Sequence, residues 1–144
     1  MGGLILETLI IRCKRVVKGK GCGEALVSRE PISFVGSIDK DSGVIVERGH
    51  ELEGESIVGK VLVFPHGKGS TAGSYIIYSL AKRKKAPAAI INIKAEPIII
   101  TGAAMAGIPL VHKLEKNPTK VIRTGDYVIV DAYNEIVQVK KKIP

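Results

Sequence analysis

With 144 residues and 45% apolar side chains, the chain is long enough to form one domain, residues 1–144, that buries most of its apolar surface without disulfides. No run approaches the roughly 18 to 20 apolar residues of a membrane span, and Glu7 and Arg12 interrupt the apolar start that a secretory signal would need. A cytoplasmic protein with no membrane partner is expected.

The net charge of +8 is uneven: residues 1–56 carry 8 Lys and Arg against 9 Asp and Glu, and residues 57–144 carry 14 against 5. An anionic substrate, a nucleic acid or an acidic protein would suit the basic part. Nucleic-acid binders interleave basic and stacking residues, whereas here Trp is absent and the Phe and Tyr residues are scattered. No nucleic-acid partner is therefore expected. Cys13 and Cys22 lack zinc-knuckle spacing and are too few for an iron–sulfur cluster, so they read as ordinary thiols.

In chain order, residues 4–17 predict a strand with one solvated face, Lys18–Gly23 a flexible turn, and Glu24–Ser28 a second strand closed by Pro31. Ser33–Gly43 reads as a connecting loop, and Asp41-Ser42-Gly43 turns into a short strand, Val44–Val46. Glu47–Ser56, with Glu47, Glu51, Glu53 and Glu55, reads as a solvated surface. Val61–Phe64 then predicts a buried strand, Gly67 and Gly69 a loop, and Gly73, Ile76, Ile77 and Leu80 one helical face ending in Lys82–Lys85. Ser70 and Thr71 are the N-cap candidates of that helix. Ala88–Ile93 is a parallel strand after the crossover. Pro97–Pro109 predicts a short strand, a small-residue helical turn and another turn, and Leu110–His112 another strand. Arg123–Asp126 is a turn, Tyr127–Asp131 and Glu135–Val139 form a hairpin, and Lys140–Lys142 is a solvated end. The sum is an α/β fold, a compact β/β/α domain whose functional edge lies at the C-terminal ends of the central strands.

Gly67-Lys-Gly-Ser-Thr-Ala-Gly-Ser74 completes neither a Walker loop nor a dinucleotide fingerprint. There is no Gly-x-Ser-x-Gly elbow, and His50 and His112 lack partners at metal-ligand spacing. Physically, a serine at a helix entrance has unpartnered N–H groups, the positive end of the helix dipole and, here, Lys68 nearby to stabilise negative charge. Capping plus a tight turn remains the alternative, and His66 is read as the end of a strand.

Five ordered segments carry a more specific signal: Ser33–Asp39, His50–Ser56, Gly59–Ser74, Ala86–Ile91 and Ile108–Val111. Together they resemble the small, swivelling-domain subunit of the aconitase X family. The resemblance implies a hydro-lyase of two subunits in which the large subunit carries a [4Fe-4S] cluster and the small one closes over the active site. It further implies removal of water from (R)-5-phosphomevalonate, giving trans-anhydromevalonate 5-phosphate in the archaeal mevalonate route to isoprenoids. By the same resemblance Ser70 is the proton acceptor, while the cluster's open iron polarises the departing hydroxyl. Gly67, Lys68, Gly69, Thr71 and Ser74, with Ser33, are the candidate substrate-binding residues for a phosphorylated small molecule. Ordinary aconitases read Gly-x-Gly-Ser-Ser-Arg here; Thr71 and Ala72 replace the last two, so carboxylate recognition has to come from elsewhere. Dehydration of another hydroxy acid, such as a hydroxyproline, and a non-enzymatic nucleic-acid module are the alternatives.

Overall fold

The computed structural model describes residues 5–143. Its strands are β1 (Ile5–Arg12), β2 (Lys14–Val17), β3 (Lys20–Val27), β4 (Val61–Phe64), β5 (Ala89–Asn92), β6 (Leu110–His112), β7 (Tyr127–Asp131) and β8 (Ile136–Ile143). The helical segments are α1 (Phe34–Ser37), α2 (Gly73–Lys82), α3 (Pro97–Ala106) and α4 (Pro118–Val121), of which α1 is one turn broken at Val35 and Gly36. The strands form one mixed sheet in the order β1-β8-β7-β3-β4-β5-β6-β2. β3 to β6 run parallel to one another, and the outer pairs are antiparallel.

Only Cys13 separates β1 from β2, yet they sit at opposite ends of the strand order. The sheet must therefore curl until both edges meet one chain segment, which makes an α/β half-barrel. Two apolar layers follow. Val61, Val63, Ala89, Ile91 and Val111 point to the concave side with Ile11, Cys13, Val128 and Val139. Leu62, Phe64, Ile90 and Leu110 point the other way and pack under Ile77, Leu80, Ile99 and Ala103 of α2 and α3. Burial on both faces is why the central strands read as unbroken apolar runs.

The structure corrects several expectations. The strand over 4–17 breaks at Cys13, where the chain passes from one sheet edge to the other; Leu4 lies outside the described residues. The turn at Lys18–Gly23 shrinks to two residues, because Gly21 and Gly23 belong to β3. A Cβ at Gly21 would lie 2.2 Å from the Ala88 carbonyl oxygen, so this glycine serves close approach of the backbones rather than turning. Pro97–Thr101 is helix, not strand. Glu96 accepts from the Ile98 and Ile99 N–H groups at 2.9 and 3.0 Å, Pro97 opens the first turn, and Gly107 closes the helix at φ 70°. Capping and burial of Ile99, Gly102 and Ala103 override three β-branched residues. Val44–Val46 forms isolated bridges, Val44 to Ser56 and Ile45 to Ile38, rather than a strand. Lys140–Lys142 pair with β1 instead of trailing off, and Lys141 Nζ donates to Asp126 at 2.7 Å. The segment from Ser33 to Ser56 is folded onto the core. Phe34 packs on Phe64 at 6.4 Å between ring centroids, and Ile38, Ile45, His50 and Leu52 are buried beside them.

Candidate functional site

Because β3, β4 and β5 are parallel neighbours, their C-terminal ends deliver three consecutive connections to one edge: Ser28–Ser33, Pro65–Ala72 and Ile93–Glu96. Hydrogen bonds lock the first two together. Ile32 N–H donates to the His66 carbonyl at 3.3 Å and Lys68 N–H to the Ile32 carbonyl at 3.2 Å, a parallel bridge that holds the glycine loop against Ile32. Ser33 lies directly beside the loop: a Cβ on Gly69 would meet its Oγ at 2.6 Å. Gly69 also has φ 89°, a left-handed conformation that glycine adopts without strain. Gly67 is buried against the third connection, with Glu96 Oε1 2.3 Å and Ile99 Cγ1 2.6 Å from where its Cβ would be. Sequence reasoning missed Glu96, although Glu96-Pro97 carries the signal of a capping acceptor before a proline at the first helical position.

Ser70 is exposed at the mouth of this loop. The α-helix itself starts later than expected, at Gly73 with Ala72 as its N-cap, and neither Ser70 nor Thr71 caps it directly. Ser70 instead opens a tight lead-in turn. Its Oγ accepts from the Ala72 N–H at 3.1 Å, its carbonyl accepts from Gly73 at 3.0 Å, and the Thr71 carbonyl accepts from Ser74 at 3.2 Å. The reason is spacing: the chain needs three residues to pass from the glycine turn to the point where Gly73 packs on Ile98 and Phe34. The consequence for chemistry is favourable, since a backbone N–H aimed at Oγ stabilises charge that develops there. Among the described residues, the N–H groups of Gly69, Ser70 and Thr71 donate to no protein acceptor, so they are available to an anion.

The remaining candidates separate. Lys68 and Thr71 are exposed on the same loop. The Lys68 cation acts on Glu47, whose carboxyl is held below its usual range chiefly by the Ser37 hydroxyl and further by Lys68 and His50, against the opposing effect of burial. Ser74 is turned inward. It is 6% exposed, and its hydroxyl donates to the Ile98 carbonyl at 2.8 Å, so it ties α2 to α3 rather than facing the loop. Ser33 Oγ donates to the Val35 carbonyl at 2.9 Å. His66 is exposed, and its Nδ1–H donates to the Gly67 carbonyl at 2.7 Å. Thr71 and Ser74 also line a shallow groove of about 250 Å³ with Tyr75, Ile98, Thr101 and Met105.

The residues present do not fit an iron–sulfur cluster. Cys13 is buried, its thiol pushed up to about 11 by burial and by Glu135 and Asp131, whereas Cys22 is exposed on β3. Among the described residues, no three His, Cys, Asp or Glu side chains gather as metal ligands, and no helix is long and apolar enough to cross a membrane.

Comparison with known proteins agrees with this architecture. Residues 10–139 match the family model described as the aconitase X swivel domain. A protein of Methanocella arvoryzae named phosphomevalonate dehydratase small subunit is 51% identical over 89% of this chain and 97% of its own length. One of the same name from Archaeoglobus fulgidus is 49% identical over 88% of this chain and 97% of its own. The crystal structure of Thermococcus kodakaraensis aconitase X in its holo-form superposes with a TM-score of 0.86 at 44% identity, covering 91% of this chain and 98% of that one. A family match across most of the chain, reinforced by the same half-barrel, places this protein in the aconitase X family as one of its swivel domains.

Proposed function

We propose that this chain is the small subunit of a hydro-lyase that dehydrates (R)-5-phosphomevalonate to trans-anhydromevalonate 5-phosphate in archaeal isoprenoid synthesis, with Ser70 as its proton acceptor. Relatives near 50% identity that carry the phosphomevalonate dehydratase name support the substrate. Their designation as small subunits supports a larger partner, which holds the iron–sulfur cluster that the donor set here does not fit.

The observation that carries the catalytic role is the Ser70 hydroxyl, exposed at the loop mouth with the Ala72 N–H on its oxygen. As an alkoxide, Ser70 takes a proton from the carbon beside the one that bears the hydroxyl. The C–H electron pair becomes the new C=C bond, and the C–O bond breaks to release hydroxide, which groups of the large subunit receive. An alkoxide is far too basic at neutral pH unless it is stabilised. The Ala72 N–H, the free N–H groups of Gly69 to Thr71 and the N-terminal end of α2 supply that stabilisation. Gly67 and Gly69 shape the loop, while Lys68 and Thr71 line its exposed side.

The test is Ser70→Ala in the enzyme reconstituted from both subunits. Turnover of (R)-5-phosphomevalonate should fall by about 10²–10⁴-fold, the usual contribution of a positioned base, with the subunits still associated. Retention of more than a tenth of the activity refutes the role of Ser70. Turnover of a hydroxyproline in preference to the phosphorylated substrate refutes the substrate.

A further inference from the structure

Among the described residues, two lysines at the same sheet edge form no ion pair and have no role in the loop. Lys94 follows β5 and Lys113 follows β6, and both are exposed. The backbone brings their turns together: Lys113 N–H donates to the Ile93 carbonyl at 3.0 Å, and Ile93 and Lys94 N–H both donate to the Pro65 carbonyl at 3.0 and 3.3 Å. Lys113 adopts φ 53°, a conformation uncommon for a side chain with a Cβ. The ring of His112 lies between these turns, its Nδ1 accepting the Ala95 N–H at 2.9 Å.

Nearby acids are already engaged. Both oxygens of Glu96 cap α3, and Glu115 accepts the Arg12 N–H. No ion pair among the described residues includes Lys94 or Lys113. Partial burial, with the two cations adding to it, holds His112 below the ordinary histidine range. Glu96 and Glu115 keep their charge, but the charges that act on His112 are those of Lys113 and Lys94, so the potential at that ring is positive and favours an anion.

We propose that Lys94 and Lys113 form a binding site for a phosphate monoester, and that it receives the phosphate end of the substrate whose reacting carbon lies at Ser70. The second half rests on the function proposed above. Pro65 anchors the Lys94 turn and begins the connection that reaches Ser70. Pro65, five residues before Ser70, is at most about 18 Å of chain from it. That upper bound leaves room for a phosphorylated hydroxy acid several bonds long between the side chains at its two ends.

Two measurements test this. In the isolated chain, His112 is followed by NMR across pH with and without inorganic phosphate at constant ionic strength. Phosphate should raise the His112 midpoint. Lys94→Gln and Lys113→Gln should each raise it without phosphate and abolish the response, whereas Lys85→Gln, at the opposite end of the sheet, should change neither. In the reconstituted enzyme, each of the Lys94 and Lys113 variants should raise KM for the phosphorylated substrate about tenfold, the loss of one charge-assisted contact, with a smaller change in kcat. A His112 midpoint indifferent to phosphate, with unchanged KM in both variants, overturns the inference while leaving the dehydratase reading intact. Conversely, a phosphate response at His112 in an enzyme that dehydrates only unphosphorylated acids upholds the anion site and overturns its assignment to substrate.

Discussion

Ser70, the proposed proton acceptor, is tied only lightly into the fold. It is exposed, and its side chain accepts one hydrogen bond, from Ala72. Ser70→Ala should therefore lower unfolding free energy by no more than about 1 kcal/mol, measured by urea titration, whatever its effect on turnover. Cys13 and Cys22 make a contrasting pair. Cys13 is buried with its thiol raised to about 11, whereas Cys22 is exposed. Mass spectrometry after iodoacetamide near pH 8 should show one label on the native chain and two in denaturant. Glu47 supplies a pH test. Its carboxyl titrates below the usual range when folded, so its stabilising effect is present above the unfolded carboxylate value, about 4.3, and is lost as pH falls through the lower folded value. Glu47→Gln should flatten that part of the acid limb in a denaturation series.

At the scale of elements, the glycine loop and α3 depend on one another. Glu96 satisfies two orphan N–H groups of α3 and presses on Gly67, so the cap of one element is the wall of the other. Glu96→Ala should destabilise the fold by about 1–2 kcal/mol through the lost cap. Gly67→Ala should cost about 1–3 kcal/mol, since a methyl group at this site meets Glu96 and Ile99 below contact distance, and it should lower turnover too by displacing the loop. Thermal unfolding of both variants checks this, and equal stability with the wild type would show that the loop and α3 are not coupled. Much of this region was legible in the sequence. Val61–Phe64, the glycines and the Ile77–Leu80 face predicted strand, loop and helix in the right places, although α2 ends at Lys82 and leaves Arg83, Lys84 and Lys85 beyond it. The identity of α3 was not, because Ile98, Ile99 and Ile100 favour a strand locally, and only their packing over β4 and β5 and the Glu96 cap decide for helix.

At the scale of the whole molecule, one chain segment closes the half-barrel at both edges, and the edge that carries the glycine loop is left open. Ser70 with its loop N–H groups faces outward, and among the described residues no ligand set fits the cluster. The purified subunit should therefore be folded, contain no iron by elemental analysis, and show no dehydratase activity until its larger partner is added.

By itself, the sequence determined the local parts of this protein: the buried strands, the helix with its basic end, the loop between them, and the motif set by which the family can be recognised. These depend on near neighbours along the chain, through periodicity, glycine conformation and capping. Tertiary structure alone decided that residues 5–17 serve two sheet edges, that Ser74 faces inward while Ser70 faces out, and that Glu96, Lys94 and Lys113 gather around the same connections. Those outcomes depend on how three parallel strand ends converge, and contacts between distant segments leave no periodic trace in any one of them.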